Sequence, residues 1–111
     1  MRSIIDLFKQ VNEKVTFKNH EGRFKVPSGY DSWLDYWEQQ KGREALKCSN
    51  LGCGKSPKVL VGGHVDVYGE SGIFLTPLCK ECNLHTNKNW MQTFRINLLR
   101  VPEELLIPTE Y

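Results

Sequence analysis

Four cysteines in two close pairs constrain this chain more than anything else in it. Cys48 and Cys53 enclose four residues including a glycine, Cys79 and Cys82 enclose two, and 25 residues rich in β-formers lie between the pairs. That spacing matches a structural zinc site, in which two thiolate pairs close a tetrahedral cage around Zn2+. Four sulfurs leave no open position for water, so the metal is expected as a staple and any chemistry elsewhere. Two other uses of the cysteines stay open at this stage, a disulfide framework and unligated buried thiols. The opening MRSIIDLFKQVNEKV is interrupted by Asp6, Lys9, Glu13 and Lys14, so it lacks the apolar stretch of a secretory signal. A reducing, cytoplasmic setting is therefore expected, and there paired cysteines more often hold metal than bond to each other.

A chain of 111 residues is expected to form one domain. At that size the core alone is marginal, and a metal clip adds to it. No apolar run approaches the length of a membrane span, and neither a repeat nor a low-complexity tract is visible. The net charge of +2 is uneven: the first 26 residues carry six Lys/Arg against three acids, and the last eleven carry three Glu and no base. A mild excess of this kind permits binding to a phosphate backbone without arguing for it, since strongly basic domains are the informative case.

Ser3 with Asp6 resembles a capping box, and Ile4, Phe8, Val11 and Val15 recur at helical spacing, which predicts a helix over 3–14. Lys14 to Val26 then alternates: Val15 and Phe17 precede a turn at 19–22, and Phe24 and Val26 follow it, the pattern of a β-hairpin. His20 falls in that turn and reads as an exposed histidine. Ser32 and Asp35 form a second capping box, opening a helix over 32–40 that carries Trp33 and Trp37 at i, i+4. Stacking on nucleobases is one use of such a pair, but packing in the core is the ordinary one. From Lys58 an extended segment runs through Gly62, Gly63 and His64 to Tyr68. A Gly-rich turn over 69–72 and a return strand over 73–76, ended by Pro77, complete a hairpin. Cys79 to Cys82 is expected to open a helix that continues over 86–94 with Trp90, Met91 and Phe94 on one side. A cysteine knuckle, a hairpin and a helix carrying the last two ligands make a treble clef. After Phe94 the tail predicts an irregular return, then a short helix begun by Pro102, with Leu105, Leu106 and Ile107 either packed on the first helix or exposed to a partner. The division expected is a single domain, 1–111, made of an N-terminal helix and hairpin over 1–30, a Trp-rich helix and link over 31–47, a cysteine lobe over 48–95 and an extension over 96–111.

GGHV, a hairpin and then PLCKECN together resemble the zinc-stabilised branch of the HNH (ββα-metal) endonuclease superfamily. The succession SWLDYWEQQKG, C-x4-C, GGHV and PLCKECN over about residues 32 to 100 is similar to a group of small bacterial and phage-type proteins without a settled function. The resemblance implies an α+β fold, a zinc-stabilised treble-clef domain with an added N-terminal helix and β-hairpin. It makes His64 the position of the general base and places Asn83 where such nucleases hold a catalytic divalent ion. The chain departs from the pattern just before His64, where a metal-ligating Asp or His is usual and Gly63 stands here. Asp66, on the same strand face as His64, and His85 or Asn87 are the available substitutes.

Phosphodiester cleavage needs a base for water and a hard cation for the charge that builds on phosphate and leaving oxygen. His64 suits the first task. Without a ligand at position 63, Mg2+ or Mn2+ has poor coordination here. The leading expectation is thus a non-catalytic zinc module that binds nucleic acid, DNA or RNA, or another protein. The alternatives are a small metal-dependent HNH-type endonuclease using His64, and a phage-type protein-binding inhibitor or adaptor. His64 also has a plain structural role open to it, bonding a carbonyl beneath the helix. Asn83 can cap a helix, and the glycines can allow a bulge or a close strand-to-helix approach. Lys47, Lys55 and Lys80 flank the cysteines, where positive charge offsets a tetrathiolate centre.

Overall fold

A computed structural model describes residues 4, 11–53 and 59–109. Its framework is an antiparallel five-stranded sheet: β1 (Lys14–Asn19), β2 (Leu60–Val67), β3 (Phe74–Cys79), β4 (Met91–Phe94) and β5 (Leu99–Arg100), in the order β4-β1-β2-β3-β5. Helix α1 (Trp33–Lys41) lies across β2 and β3. Short 3-10 turns at Arg95–Asn97 and Glu103–Leu105 link the last elements. Small, α+β and built on a curled sheet, this agrees with the expected class.

Helix α1 starts where its cap dictates. Ser32 is extended, and its hydroxyl accepts the Asp35 backbone N–H at 3.0 Å. Gly42 ends the helix at φ +68°, a left-handed conformation that glycine adopts without steric cost. Trp33, Tyr36 and Trp37 point inward, and the two indole nitrogens donate to the carbonyls of Phe24 and Asn97, both at 3.0 Å. The tryptophan pair is core, as its spacing suggested. Gly62 lets the helix come this close: a Cβ there would sit 2.7 Å from the Leu34 nitrogen and 2.8 Å from the Trp33 carbonyl carbon.

The β2–β3 hairpin forms as expected, closed by a turn with Gly69 and Gly72 at φ +77° and +90°. Pro77 does not end it. β3 runs on to Cys79, with Pro77 opposite Gly62. The Pro77 carbonyl accepts from Ser49, beyond the far edge of β3, so its missing N–H also faces away from β2 and interrupts no ladder bond. β5 covers only Phe74 and Leu75 on that side.

The N-terminal hairpin does not form. β1 is an inner strand, with Phe17 opposite both Val67 of β2 and Met91 of β4. Both its edges are used, so Phe24 turns instead to Pro108 in an isolated bridge, supported by Lys25 N–H to the Ile107 carbonyl at 2.8 Å. The strand is thus inserted into the sheet, where the sequence predicted a unit laid against it. Ile4, Val11 and Asn12 are helical, Glu13 is not, Lys14 already belongs to β1, and residues 3 and 5–10 of the helix expected over 3–14 lie outside the described residues.

The helix expected from Cys79 is also absent, which removes one part of the treble-clef expectation. Asn83 N–H reaches the Cys79 carbonyl at 3.0 Å, two further turns follow, and residues 91–94 are strand. Asn87 explains the break: its side chain donates to the Cys82 carbonyl at 2.8 Å and accepts from Asn89 N–H at 3.2 Å, bonds that compete with helical ones. Met91 and Thr93 are buried and Gln92 is exposed, the period of a strand.

Alternation divides the interior into two clusters. Val15, Phe17, Val65, Val67, Leu78 and Met91 gather with the cysteines on one face, while Trp33, Trp37, Leu75 and Val101 gather under α1 on the other. Leu105 and Leu106 pack on the second cluster, which is where most of the C-terminal apolar run goes; Ile107 is half exposed. Arg95 ties the ends of three strands together, donating to Glu13 at 2.8 Å and to Glu70 at 2.6 Å. Its guanidinium holds the Glu70 carboxyl below the usual carboxylate range.

Candidate metal centre and adjoining cleft

The loop holding the first cysteine pair is hooked to the sheet at two points. Ser49 N–H bonds the Pro77 carbonyl on β3 and Leu51 N–H bonds the Gln92 carbonyl on β4, both at 2.9 Å. The loop is rigid within itself, since the Asn50 side-chain oxygen accepts Gly52 N–H at 3.0 Å and its carbonyl accepts Cys53 N–H at 3.0 Å. Thr76, fully buried, adds a hydroxyl contact to Ser49 at 2.7 Å. Cys79 ends β3, and Cys82 follows in a turn that Asn19 secures by donating to the Cys82 carbonyl at 2.7 Å.

These constraints bring the four sulfurs within 4.8 Å of one another, an arrangement that can hold a metal ion. No disulfide joins them. Cys53 Sγ lies 3.8 Å from Cys79 Sγ, far beyond the roughly 2.05 Å of a sulfur–sulfur bond. Polar hydrogens point at the cluster: Asn50 Nδ2 lies 3.4 Å from Cys82 Sγ, and Cys82 N–H lies 3.5 Å from Cys79 Sγ. Burial pushes the Cys48 thiol up and the Cys82 thiol up to about 12, so these two sulfurs ionise only if a cation supplies compensating charge.

Beside the centre opens a cleft of about 1000 Å3 that gathers residues from distant parts of the sequence. His64 and Asn83 both line it, as do His85 and Asn87. His64 is held edge-on between Trp33, with centroids 4.4 Å apart, and Phe24, at 5.0 Å. Its Nε2 is buried and has no hydrogen-bond partner among the described residues, so the expected bond to a carbonyl beneath the helix is not made by that nitrogen. Asn83 caps no helix. Its amide oxygen rests against Gly63, where an added Cβ would lie 2.7 Å away. A ligating side chain at position 63 would displace Asn83.

Sequence reasoning placed His20 in an exposed turn. Far from being a bare turn residue, it is three-quarters covered, with its Nδ1 2.9 Å from Asp66 Oδ1 and its N–H bonded to the His64 carbonyl at 2.9 Å. The signal was the alternation itself, which put Asp66 and His64 on one strand face, but the pairing of β1 with β2 was needed to bring His20 there. Asp66 is thereby engaged with a histidine, and among the described residues no group of three His, Cys, Asp or Glu other than the four cysteines converges as metal ligands. Lys80 and Lys88 line the cleft with Arg23, and Lys88 is ion-paired with Glu21. Lys47 is exposed, and Lys55 lies outside the described residues.

Burial lowers the His64 pKa from 6.5 to about 4, with a smaller contribution from His20. A base whose folded pKa is depressed is fully stabilising above its unfolded pKa, and that stability is lost as pH falls from 6.5 toward 4. The whole shift corresponds to about 3 kcal/mol, and partial access to solvent reduces it to about 2 kcal/mol. Urea unfolding at neutral pH and near the lower end of that window is expected to show this loss in the native protein and a smaller one in His64→Gln. Equal losses in both proteins would contradict it.

No known protein family, curated protein or solved structure matches the chain. Among the described residues, no helix is long and apolar enough to cross a membrane.

Proposed function

We propose that this chain is a zinc-stapled, non-catalytic module that binds nucleic acid through the cleft beside its metal centre. Zinc is the metal this donor set suits: a tetrahedral ion about 2.3 Å from each sulfur sets the sulfurs about 3.8 Å apart, close to the spacing of Cys53 and Cys79. We read the cysteine lobe as a degenerate HNH-like treble clef, with knuckle and hairpin kept and the ligand-bearing helix reduced to turns.

The observation that carries the binding reading is the chemistry of the cleft. Arg23, Lys80 and Lys88 line it, and their hydrogen-bond donors and positive charge suit phosphate oxygens. A hard divalent ion would find a neutral Asn83, a paired Asp66 and a glycine at position 63, which is a poor set for Mg2+. Anisotropy with labelled DNA and RNA is expected to show binding that weakens with salt at a slope near −2 to −3, the mark of about three phosphate contacts. Arg23→Glu with Lys80→Glu should lower affinity on the order of tenfold or more. Absence of binding at low salt, or indifference to the charge reversal, would remove the reading.

The gathering of His64, Asn83, His85 and the His20–Asp66 pair in one cleft favours one second reading, a small HNH-type endonuclease. It predicts plasmid cleavage with Mg2+ or Mn2+ that His64→Ala abolishes.

A further inference from the structure

The face of the sheet opposite the cysteine cluster is covered by α1 over β2 and β3, and it continues beyond the helix onto β1 and β4. Strand alternation decides what that continuation presents. Val15 and Phe17 of β1 are buried, so Lys14, Thr16 and Lys18 point outward. Val67 is buried, which turns Tyr68 outward, and buried Met91 does the same for Trp90. Trp90 and Tyr68 meet edge to face with centroids 5.7 Å apart, and the Lys18 ammonium lies 4.9 Å from the centre of the indole. The two rings are 50% and 72% exposed, among the largest apolar surfaces left to solvent on the described chain.

We infer that Trp90, Tyr68 and Lys18 form a stacking platform for the unpaired bases of single-stranded nucleic acid, a second contact site that rests on the nucleic-acid reading of the cleft. Two rings held at a fixed angle on a sheet lose little freedom when a base stacks on them. Stacking is tolerant of sequence, because every base offers a π-face. The occupant is chosen by charge as well as by shape. Lys14 and Lys18 stand on the same face, and Asp66, the acid opposite Lys18, is already paired with His20. His20 also lines the cleft, so the strip from Trp90 through Lys18 and Asp66 leads directly to it. A strand with its backbone in the cleft can therefore lay its next bases across the rings. Duplex bases are stacked on each other and cannot use the platform, so the site confers a preference for single strands.

Trp90 is the tryptophan that reports most directly on the platform, since Trp37 is 1% exposed and Trp33, which lines the cleft, is only 8% exposed. Titrating the zinc-loaded protein with oligo(dT) is expected to quench tryptophan emission. Trp90→Ala should remove that quenching and lower affinity for oligo(dT) on the order of tenfold, leaving duplex affinity within about twofold. Tyr68→Ala should act in the same direction. Trp90→Phe, which keeps a ring, should retain affinity while the quenching disappears. Both positions are on the surface, and unfolding curves of the variants verify that the fold is kept. Quenching undiminished in Trp90→Ala, or equal loss of single-strand and duplex affinity, overturns the platform while leaving the cleft reading intact. Failure of the native protein to bind either form removes both.

Discussion

Replacing Cys79 with serine, or stripping the protein with a strong chelator, is expected to abolish its cooperative unfolding transition at room temperature. A structural zinc ion contributes about 10–16 kcal/mol of apparent binding free energy in small peptides, whereas whole domains are stable by only about 5–15 kcal/mol. This chain has little to set against such a loss. Through its four ligands a single ion would join the loop hooked to β3 and β4, the end of β3, and the turn that Asn19 ties to β1. Cys79 itself is 1% exposed, so a serine there also buries a hydroxyl in the core. Without the cation, burial keeps the Cys48 and Cys82 thiols protonated and the cluster loses what draws its parts together. Metal analysis together with near- and far-ultraviolet circular dichroism tests this. An unchanged melting midpoint in the metal-free protein would show that the cysteines are only buried thiols.

The features read correctly from sequence are those whose causes lie close together along the chain. Ser32 and Asp35 are three residues apart and cap their helix without outside help. Gly69 and Gly72 turn the hairpin that their neighbours alternate into. The cysteine pairs are legible for the same reason, each being a local loop. What failed depended on distant partners. Val15 and Phe17 signalled a strand correctly, but nothing local says that its neighbours are β2 and β4 and not the segment at Phe24. The stretch after Cys82 was ambiguous: Trp90, Met91 and Phe94 fit one side of a helix, while Met91, Gln92 and Thr93 fit a strand. The open edge of β1 decided in favour of the strand. That pairing of β1 with β4 turned Trp90 out to solvent, and the pairing of β1 with β2 brought His20 beside Asp66, so the placement of β1 lies behind the errors about fold and about function alike.

Trp37→Ala is expected to cost about 3–5 kcal/mol, the range for removing a large buried aromatic. The indole is 1% exposed and sits in the smaller of the two interior clusters, with Tyr36, Leu75 and Val101 around it. Truncation would leave a void that a short helix spanning one side of a sheet cannot close. It would also leave the Asn97 carbonyl with only the Thr76 hydroxyl at 2.8 Å in place of two donors, the indole having been at 3.0 Å, and would take away the ring over which Arg43 lies at 4.8 Å. Because Thr76 also contacts Ser49 in the first cysteine loop, the damage should reach the metal centre and loosen its hold on the ion. Denaturant unfolding and metal release to a chromogenic chelator measure the two effects separately. Trp37→Phe, which restores most of the volume without the N–H, should recover more than half of the stability. A Trp37→Ala protein that unfolds within about 1 kcal/mol of the native one would mean that α1 is an appendage, held by its cap and by Gly62 but not needed to keep the sheet folded.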